Sequence, residues 1–289
     1  MKVAFLGMGA MGSRMADALL DAGYELTIWN RTRSKVDALC AKGASLAANP
    51  KQAAEGADFV FSMVRDDEAS MSVWLDESTG AINGLSQNAI AVECSTLSVD
   101  WARELSDVFK KHSKKLVFAP LAGSRPQADA RKLIFFVSGD ALAVELVRPV
   151  LECMGSTVHP CGGGYEASAV KLMVNALFGS QVAIMAELIT FAQKMNVDSQ
   201  RAIEIMSSTP VCSPAAALAA KAMLDGQFAA AFPIELVAKD FDMFARSAGT
   251  VGFKAPAIEQ VGQVYTRAAD SGLSDFNITG IIKLHSSRS

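Results

Sequence analysis

Hydrophobic and polar positions along this chain follow two different rhythms. Up to about residue 162, short apolar runs bounded by glycine or polar turns alternate with stretches of helical period. The runs predict strands at Val3–Leu6, Glu25–Trp29, Phe59–Met63, Ala89–Glu93, Leu116–Ala119, Leu133–Ser138 and Thr157–His159. Helices are expected between them, over 10–22, 33–42, 50–55, 67–75, 99–112 and 140–154. Such alternation implies an α/β unit with a mostly parallel sheet. From Gly162 onward the strand-like runs disappear and Ala-, Met- and Leu-rich helical periods take over, predicting helices over 165–194, 199–207, 214–224, 234–251, 256–271 and 275–286. The triplet Gly162–Gly164 is the natural hinge, so the expected units are 1–162 (α/β) and 163–289 (all-helical). The helix from Tyr165 is apolar nearly all round, which predicts burial on several sides. Lys171, Asn175, Gln181 and Glu187 interrupt it, which argues against a membrane span.

The first strand runs into Gly7-Met8-Gly9-Ala10-Met11-Gly12, with an amphipathic stretch after it and a second strand ending near residue 30. In that context the G-x-G-x-x-G spacing predicts a dinucleotide loop in a doubly wound, Rossmann-type domain. Gly7 permits the turn, Gly9 lets a pyrophosphate approach the backbone, and Gly12 lets the helix pack on the sheet. The helix N-terminus offers N–H groups to the phosphates. At the end of the second strand an NAD site places a carboxylate for the ribose 2′-hydroxyl. This chain has Asn30, Arg31, Thr32, Arg33, Ser34 and Lys35 instead. Arg31 suits a 2′-phosphate, so the expected cofactor is NADP(H), with Asn30, Arg31, Thr32 and Lys35 around it. Met63 and Val64, where the third predicted strand ends, are expected on the same cofactor surface.

Bulk properties narrow the class. A chain of 289 residues, 51% hydrophobic and 20% charged, is long enough for two globular domains. Net charge of −3 and a pI near 5.7 argue against nucleic acid or an anionic membrane as main partner. Cys40, Cys94, Cys153, Cys161 and Cys212 are odd in number and form no C-x-x-C, so neither a metal site nor a disulfide framework is expected. With the first strand starting at residue 2, no signal peptide is expected, and the reading is a cytoplasmic protein.

Carbonyl reduction needs a proton donor beside the hydride source. His112, His159 and His285 read as structural or solvated. Lys171 lies among Ala169, Val170, Leu172 and Met173, surroundings that lower an ammonium pKa. Asn175 comes one turn later on the same face. The pair makes a coherent acid and orienting partner; a snorkelling lysine and a kink-capping amide are equally compatible with the spacing. Lys239, followed by Asp240 and Asp242, reads from chemistry alone as a surface ion pair.

Taken together, these segments resemble the β-hydroxyacid dehydrogenase family over essentially the whole chain. Phe5–Gly12 through Met15-Ala16 is similar to the family's cofactor loop, and Trp29-Asn30-Arg31-Thr32 with Lys35 resembles its NADPH-using glyoxylate/succinic semialdehyde reductase branch. Glu93-Cys94-Ser95-Thr96 corresponds to the family's Ser-Thr loop. The resemblance implies that Ser95 and Thr96 touch substrate, Thr96 also the cofactor. It further implies that Lys171 is the acid/base with Asn175 its companion, that Lys239 reaches the nicotinamide side, and that the site lies between two domains of a homodimer or homotetramer. The family's Pro-Val-Ser-Gly substrate loop reads Pro120-Leu121-Ala122-Gly123-Ser124 here. Ala122 lacks the hydroxyl that would bond a substrate carboxylate, a loss of about 1.5–3 kcal/mol if uncompensated. Backbone N–H groups at Gly123 and Ser124, or the charges of Arg125, Arg131 and Lys132, are the expected substitutes. An imine reductase on the same scaffold and a non-catalytic NADP(H) sensor are the alternatives.

Overall fold

The computed structural model describes residues 1–33 and 36–286. Contacts divide the chain into two compact units, Met1–Lys171 and Leu172–Ser289. The division falls inside a helix and not at the glycine triplet. Its cause is local: the first turn of that helix is tied to the sheet by the Ala167 N–H, which bonds the Ser138 hydroxyl at 3.1 Å.

The first unit is built on β1 (Lys2–Leu6), β2 (Glu25–Trp29), β3 (Ser45–Leu46), β4 (Phe59–Ser62), β5 (Ile90–Glu93) and β6 (Lys115–Phe118), parallel in the order β3-β2-β1-β4-β5-β6. The helices among them are α1 (Gly12–Asp21), α2 (Asp37–Ala41), α3 (Pro50–Ala54), α4 (Asp67–Leu75) and α5 (Val99–Lys111). This is the doubly wound order, with its switch point between β1 and β4. β4 and β5 are buried along their whole length, as strands covered on both faces must be. Phe5 and Phe61 stack across β1 and β4 at 5.8 Å in the core. Asp66 and Ser98 start α4 and α5 by accepting from the N–H groups of Ala69 and Trp101. These caps set where the loops after β4 and β5 end.

Beyond β6 the sheet changes direction. β7 (Leu121–Ala122), α6 (Arg125–Asp129), β8 (Leu133–Gly139), α7 (Ala141–Glu152) and β9 (Gly155–Gly162) complete the unit. β8 runs antiparallel to β6 and β7 and parallel to β9. β6 and β7 share one continuous register on β8, and the Phe136 N–H bonds the Pro120 carbonyl between them at 2.9 Å. The sheet is therefore parallel through its first six strands, reverses at β8, and ends in a second parallel pair, β8 and β9. β3, β7 and α6 are too short for periodicity to reveal.

The second unit takes α8 (Glu166–Lys194) from Leu172 onward, with α9 (Ser199–Ser207), α10 (Pro214–Leu224), α11 (Ile234–Thr250) and α12 (Pro256–Ala268). Its core gathers Val182, Ala186 and Ile189 of α8 with Val237, Phe241, Tyr265 and Ile281. α8 is long and apolar enough to cross a membrane by length and composition, but half of its most apolar window is buried inside the fold. Past α12 the expected single helix over 275–286 is instead a 3-10 segment, Ile278–Ile282, followed by α13 (Lys283–Ser286). Asn277 diverts it: its side chain accepts from the N–H groups of Ala231 and Phe232, and its backbone bridges Pro233.

Gly179 on α8 lets the core close. A Cβ there would stand 2.5 Å from the Phe241 ring, which stacks on Tyr265 at 5.5 Å. The buried Tyr265 hydroxyl donates to the Gly179 carbonyl at 2.8 Å. Gly179→Ala is accordingly expected to destabilise the protein by about 1–3 kcal/mol despite alanine's better helix propensity. A thermal melt at or above the wild-type midpoint would contradict this packing argument.

Candidate active site

The registers Leu6↔Trp29, Leu6↔Ser62, Ser62↔Glu93 and Glu93↔Phe118 align the carboxyl ends of β2, β1, β4, β5 and β6. Gly7, Asn30, Met63 and Cys94 come directly after these ends, so the segments singled out for cofactor contact share one edge, where open α/β sheets bind ligands. Gly7 has φ +101° and a Cβ on it would lie 2.3 Å from the Met63 carbonyl. A Cβ on Gly12 would lie 1.9 Å from the Gly7 carbonyl. Both glycines are demanded by the protein itself. Gly9 is different: apart from its own chain neighbours, no atom of the described residues lies within 4 Å of where its Cβ would be. That open approach, at a helix N-terminus with no side-chain cap, fits a pyrophosphate.

Asn30 acts within the protein. Its Oδ1 accepts from the Met8 N–H at 2.9 Å and its Nδ2 donates to the Thr32 carbonyl at 2.8 Å, bracing the glycine loop against the turn after β2. Arg31 and Thr32 are exposed, and Arg31 has no ion-pair partner among the described residues. Lys35, expected beside them, lies outside the described residues.

The Ser-Thr loop needs a correction. Ser95 is buried, at 1% exposure; its hydroxyl accepts from the Val64 N–H at 2.8 Å, and its own N–H donates to Glu93 at 2.8 Å. It is spent inside the domain, so it supports Val64 and cannot also meet substrate. Thr96 beside it, like Met63 and Val64, is half-buried. The carboxylate that organises this loop, Glu93, stood in the sequence only as the first residue of the motif, with no role of its own. The available signal was an acidic residue closing an apolar strand. Burial pushes the Glu93 carboxyl up, against the pull of its donors, and pushes the neighbouring Cys94 thiol up as well.

In the substrate loop, Ala122 pairs with Ile134 and Gly123 has φ +116°. The Ser124 N–H already donates to Gln127 Oε1 at 2.9 Å, in a capping box that starts α6. An anion there would have to displace Gln127, which leaves Gly123 as the simpler N–H donor. Arg131 does not compensate for Ala122 either, because it is paired with Asp21. Lys132, which is exposed, and Arg125 remain; the Arg125 Nε is buried with no partner among the described residues.

On α8, Lys171 is half-buried and Asn175, one turn later, is 8% exposed. Asn175 Nδ2 donates to Asp240 Oδ2 on α11 at 2.6 Å. Lys239 Nζ lies 3.1 Å from Asp240 Oδ1, with the carboxylate only 4% exposed. The pair is therefore no solvated surface bridge. Asp240 fixes the Asn175 amide so that its carbonyl oxygen points away from the carboxylate, and the capping role weighed for Asn175 falls away. His112 and His159 are exposed, the latter stacked on Phe136.

Comparison with known proteins gives this arrangement a setting. The profile for the NAD-binding domain of 6-phosphogluconate dehydrogenase matches residues 2–163. The one for the NAD-binding region of NADP-dependent 3-hydroxyisobutyrate dehydrogenase matches 166–285. Glyoxylate/succinic semialdehyde reductase 2 of Arabidopsis thaliana, a chloroplastic protein, is 33% identical across 97% of this chain and 78% of its own length. Mitochondrial 3-hydroxyisobutyrate dehydrogenase of Drosophila melanogaster is 28% identical across 96% and 87%. Among solved structures, Mycobacterium tuberculosis 3-hydroxyisobutyrate dehydrogenase with L-serine superposes with a TM-score of 0.90 at 24% identity, covering 100% and 99% of the two chains.

Proposed function

The chain belongs to the β-hydroxyacid dehydrogenase family, and we propose that it is an NADP(H)-dependent enzyme interconverting a small aldehyde or keto acid with its hydroxy acid. It is an oxidoreductase acting on hydroxyl groups with a nicotinamide cofactor. The finer reading is carried by the α8 face on which Lys171 precedes an Asn175 amide held by Asp240. When bound, the reduced nicotinamide supplies hydride to the carbonyl carbon. Lys171, as an ammonium, gives its proton to the carbonyl oxygen; in the oxidative direction the neutral amine takes it back. The Asn175 carbonyl oxygen, on the side of the amide turned from Asp240, orients the donor. Thr96 and the Gly123 N–H hold the substrate's anionic end, and Gly9 admits the pyrophosphate. Arg31, in place of a carboxylate after β2, supports the 2′-phosphate. The Arabidopsis relative is named for glyoxylate and succinic semialdehyde, which supports aldehyde acids as substrates. The reading includes a homodimer or homotetramer, supported by the exposed Met173, Leu177, Ile184 and Phe191 on α8.

The test is cofactor oxidation against glyoxylate, succinic semialdehyde, tartronate semialdehyde, methylglyoxal and cyclic imines, with NADPH and NADH in parallel. Turnover of an aldehyde acid with NADPH preferred is the expected result. Arg31→Ala is expected to raise KM for NADPH about tenfold or more, as loss of a charge-assisted bond requires, and to leave NADH nearly unchanged. Turnover confined to imines would replace the carbonyl reading. Tight NADPH binding without any turnover would favour a sensor.

A further inference from the structure

Glu93 takes no part in the reaction above, yet it is wholly buried and its carboxyl collects donors from two directions. Oε2 accepts from the Ser70 hydroxyl and the Trp74 indole N–H, both on α4 and both at 2.8 Å. Oε1 accepts from the Ser95 N–H at 2.8 Å. The Ser95 hydroxyl in turn accepts from the Val64 N–H at 2.8 Å. A second tie runs alongside, from the Ser98 N–H to Asp67 Oδ1 at 2.9 Å. Thr96 is thus the half-buried residue of a loop pinned on both sides. No cation among the described residues pairs with Glu93.

A buried carboxylate without a cation is costly, and an apolar side chain would join α4 to β5 more cheaply. An apolar side chain cannot hold the Ser95 N–H, nor the Val64 N–H through it. We propose that Glu93 is a positioning residue that sets the loops carrying Val64 and Thr96 against cofactor and substrate. This rests on the reading that those two residues face the reacting partners. The donor set suits a carboxyl and excludes an amide. Neither the indole N–H nor the Ser95 N–H can accept a proton, so an amide turned either way meets a donor with its own NH2.

Glu93→Gln therefore breaks one side of the link at constant volume. The experiment uses the full chain with NADPH, activity being counted per cofactor-binding site. The variant is expected to lose about tenfold or more in kcat with KM for the aldehyde acid changed less than about threefold, and to bind NADPH about threefold more weakly or worse. Hydrogen exchange should quicken at the Val64 and Ser95 amides and nowhere else. Ser95→Ala should reproduce the loss, and the double variant should be no worse than Ser95→Ala, because both cut one chain of contacts. Trp74→Phe, which keeps the carboxylate and its Ser95 bond, should stay within about threefold of wild type. Unchanged kcat with faster local exchange would overturn the proposal, as would exchange that quickens throughout the domain. If the wild-type protein turns over none of the substrates, the functional reading fails separately. NADPH affinity and local exchange then decide for Glu93, an unchanged dissociation constant overturning it.

Discussion

Replacing Lys171 by alanine is expected to lower kcat for the preferred aldehyde acid by about 10²–10⁴-fold, the usual worth of a positioned proton donor. NADPH affinity should hold within a few-fold, since the proposed reading assigns the cofactor's phosphates to the glycine loop and not to α8. Lys171 is half-buried on α8, one turn before an amide whose orientation Asp240 dictates. Removing the ammonium leaves the developing alkoxide to water, without disturbing the Asn175–Asp240 bond. Lys171→Arg serves as the control: it keeps the charge, but a guanidinium releases no proton at working pH. Steady-state kinetics with a cofactor titration would check both variants. More than a tenth of the wild-type kcat in the alanine variant would remove Lys171 from the chemistry and return it to a structural cation.

Gly9→Ala and Gly12→Ala are expected to fail in different ways, and the contrast tests the cofactor loop directly. An alanine Cβ at Gly12 would lie 1.9 Å from the Gly7 carbonyl and 3.2 Å from the Phe5 ring. Both neighbours are core or backbone and cannot step aside. Overpacking of that kind costs about 1–3 kcal/mol or more, and at this chain length about 2–4 °C of melting temperature per kcal/mol. A Cβ on Gly9 would meet nothing within 4 Å beyond its chain neighbours, so the alanine variant should melt within about 1 °C of wild type without cofactor. Its methyl group would instead occupy the approach left for the pyrophosphate, and NADPH should bind about tenfold more weakly or worse. Thermal melts without ligand and fluorescence titrations with NADPH separate the two. A Gly9→Ala variant that binds NADPH normally would show that the pyrophosphate does not cross the loop there.

The same distinction between self-contained and distant causes explains how much could be read from the chain. β1, β2, β4 and β5 were legible as apolar runs, and the long helices α8 and α11 as sustained periods, because each element carries its own pattern. The glycine loop was legible because a tight turn and a close helix approach are demands on consecutive residues. So was the cationic turn at Arg31, which depends only on the residues directly after a strand. β3, β7 and α6 escaped because two to five residues show no period. The reversal at β8 escaped because strand direction is set by which edge is already occupied. Ser95 was assigned to substrate, and the partners of Glu93 and Asp240 could not be read, for one reason. Glu93 meets Trp74 and Ser70 across 19 and 23 residues, and Asp240 meets Asn175 across 65. By itself the sequence determined the change from alternating strands and helices to helices alone, the glycine loop and the types of side chain available for chemistry, since these arise from local backbone and periodic demands. Which hydroxyls and carboxylates are spent inside the protein, and which remain for a substrate, was decided only by tertiary structure, because a hydrogen-bonding group's partner is chosen by proximity in the fold and not along the chain.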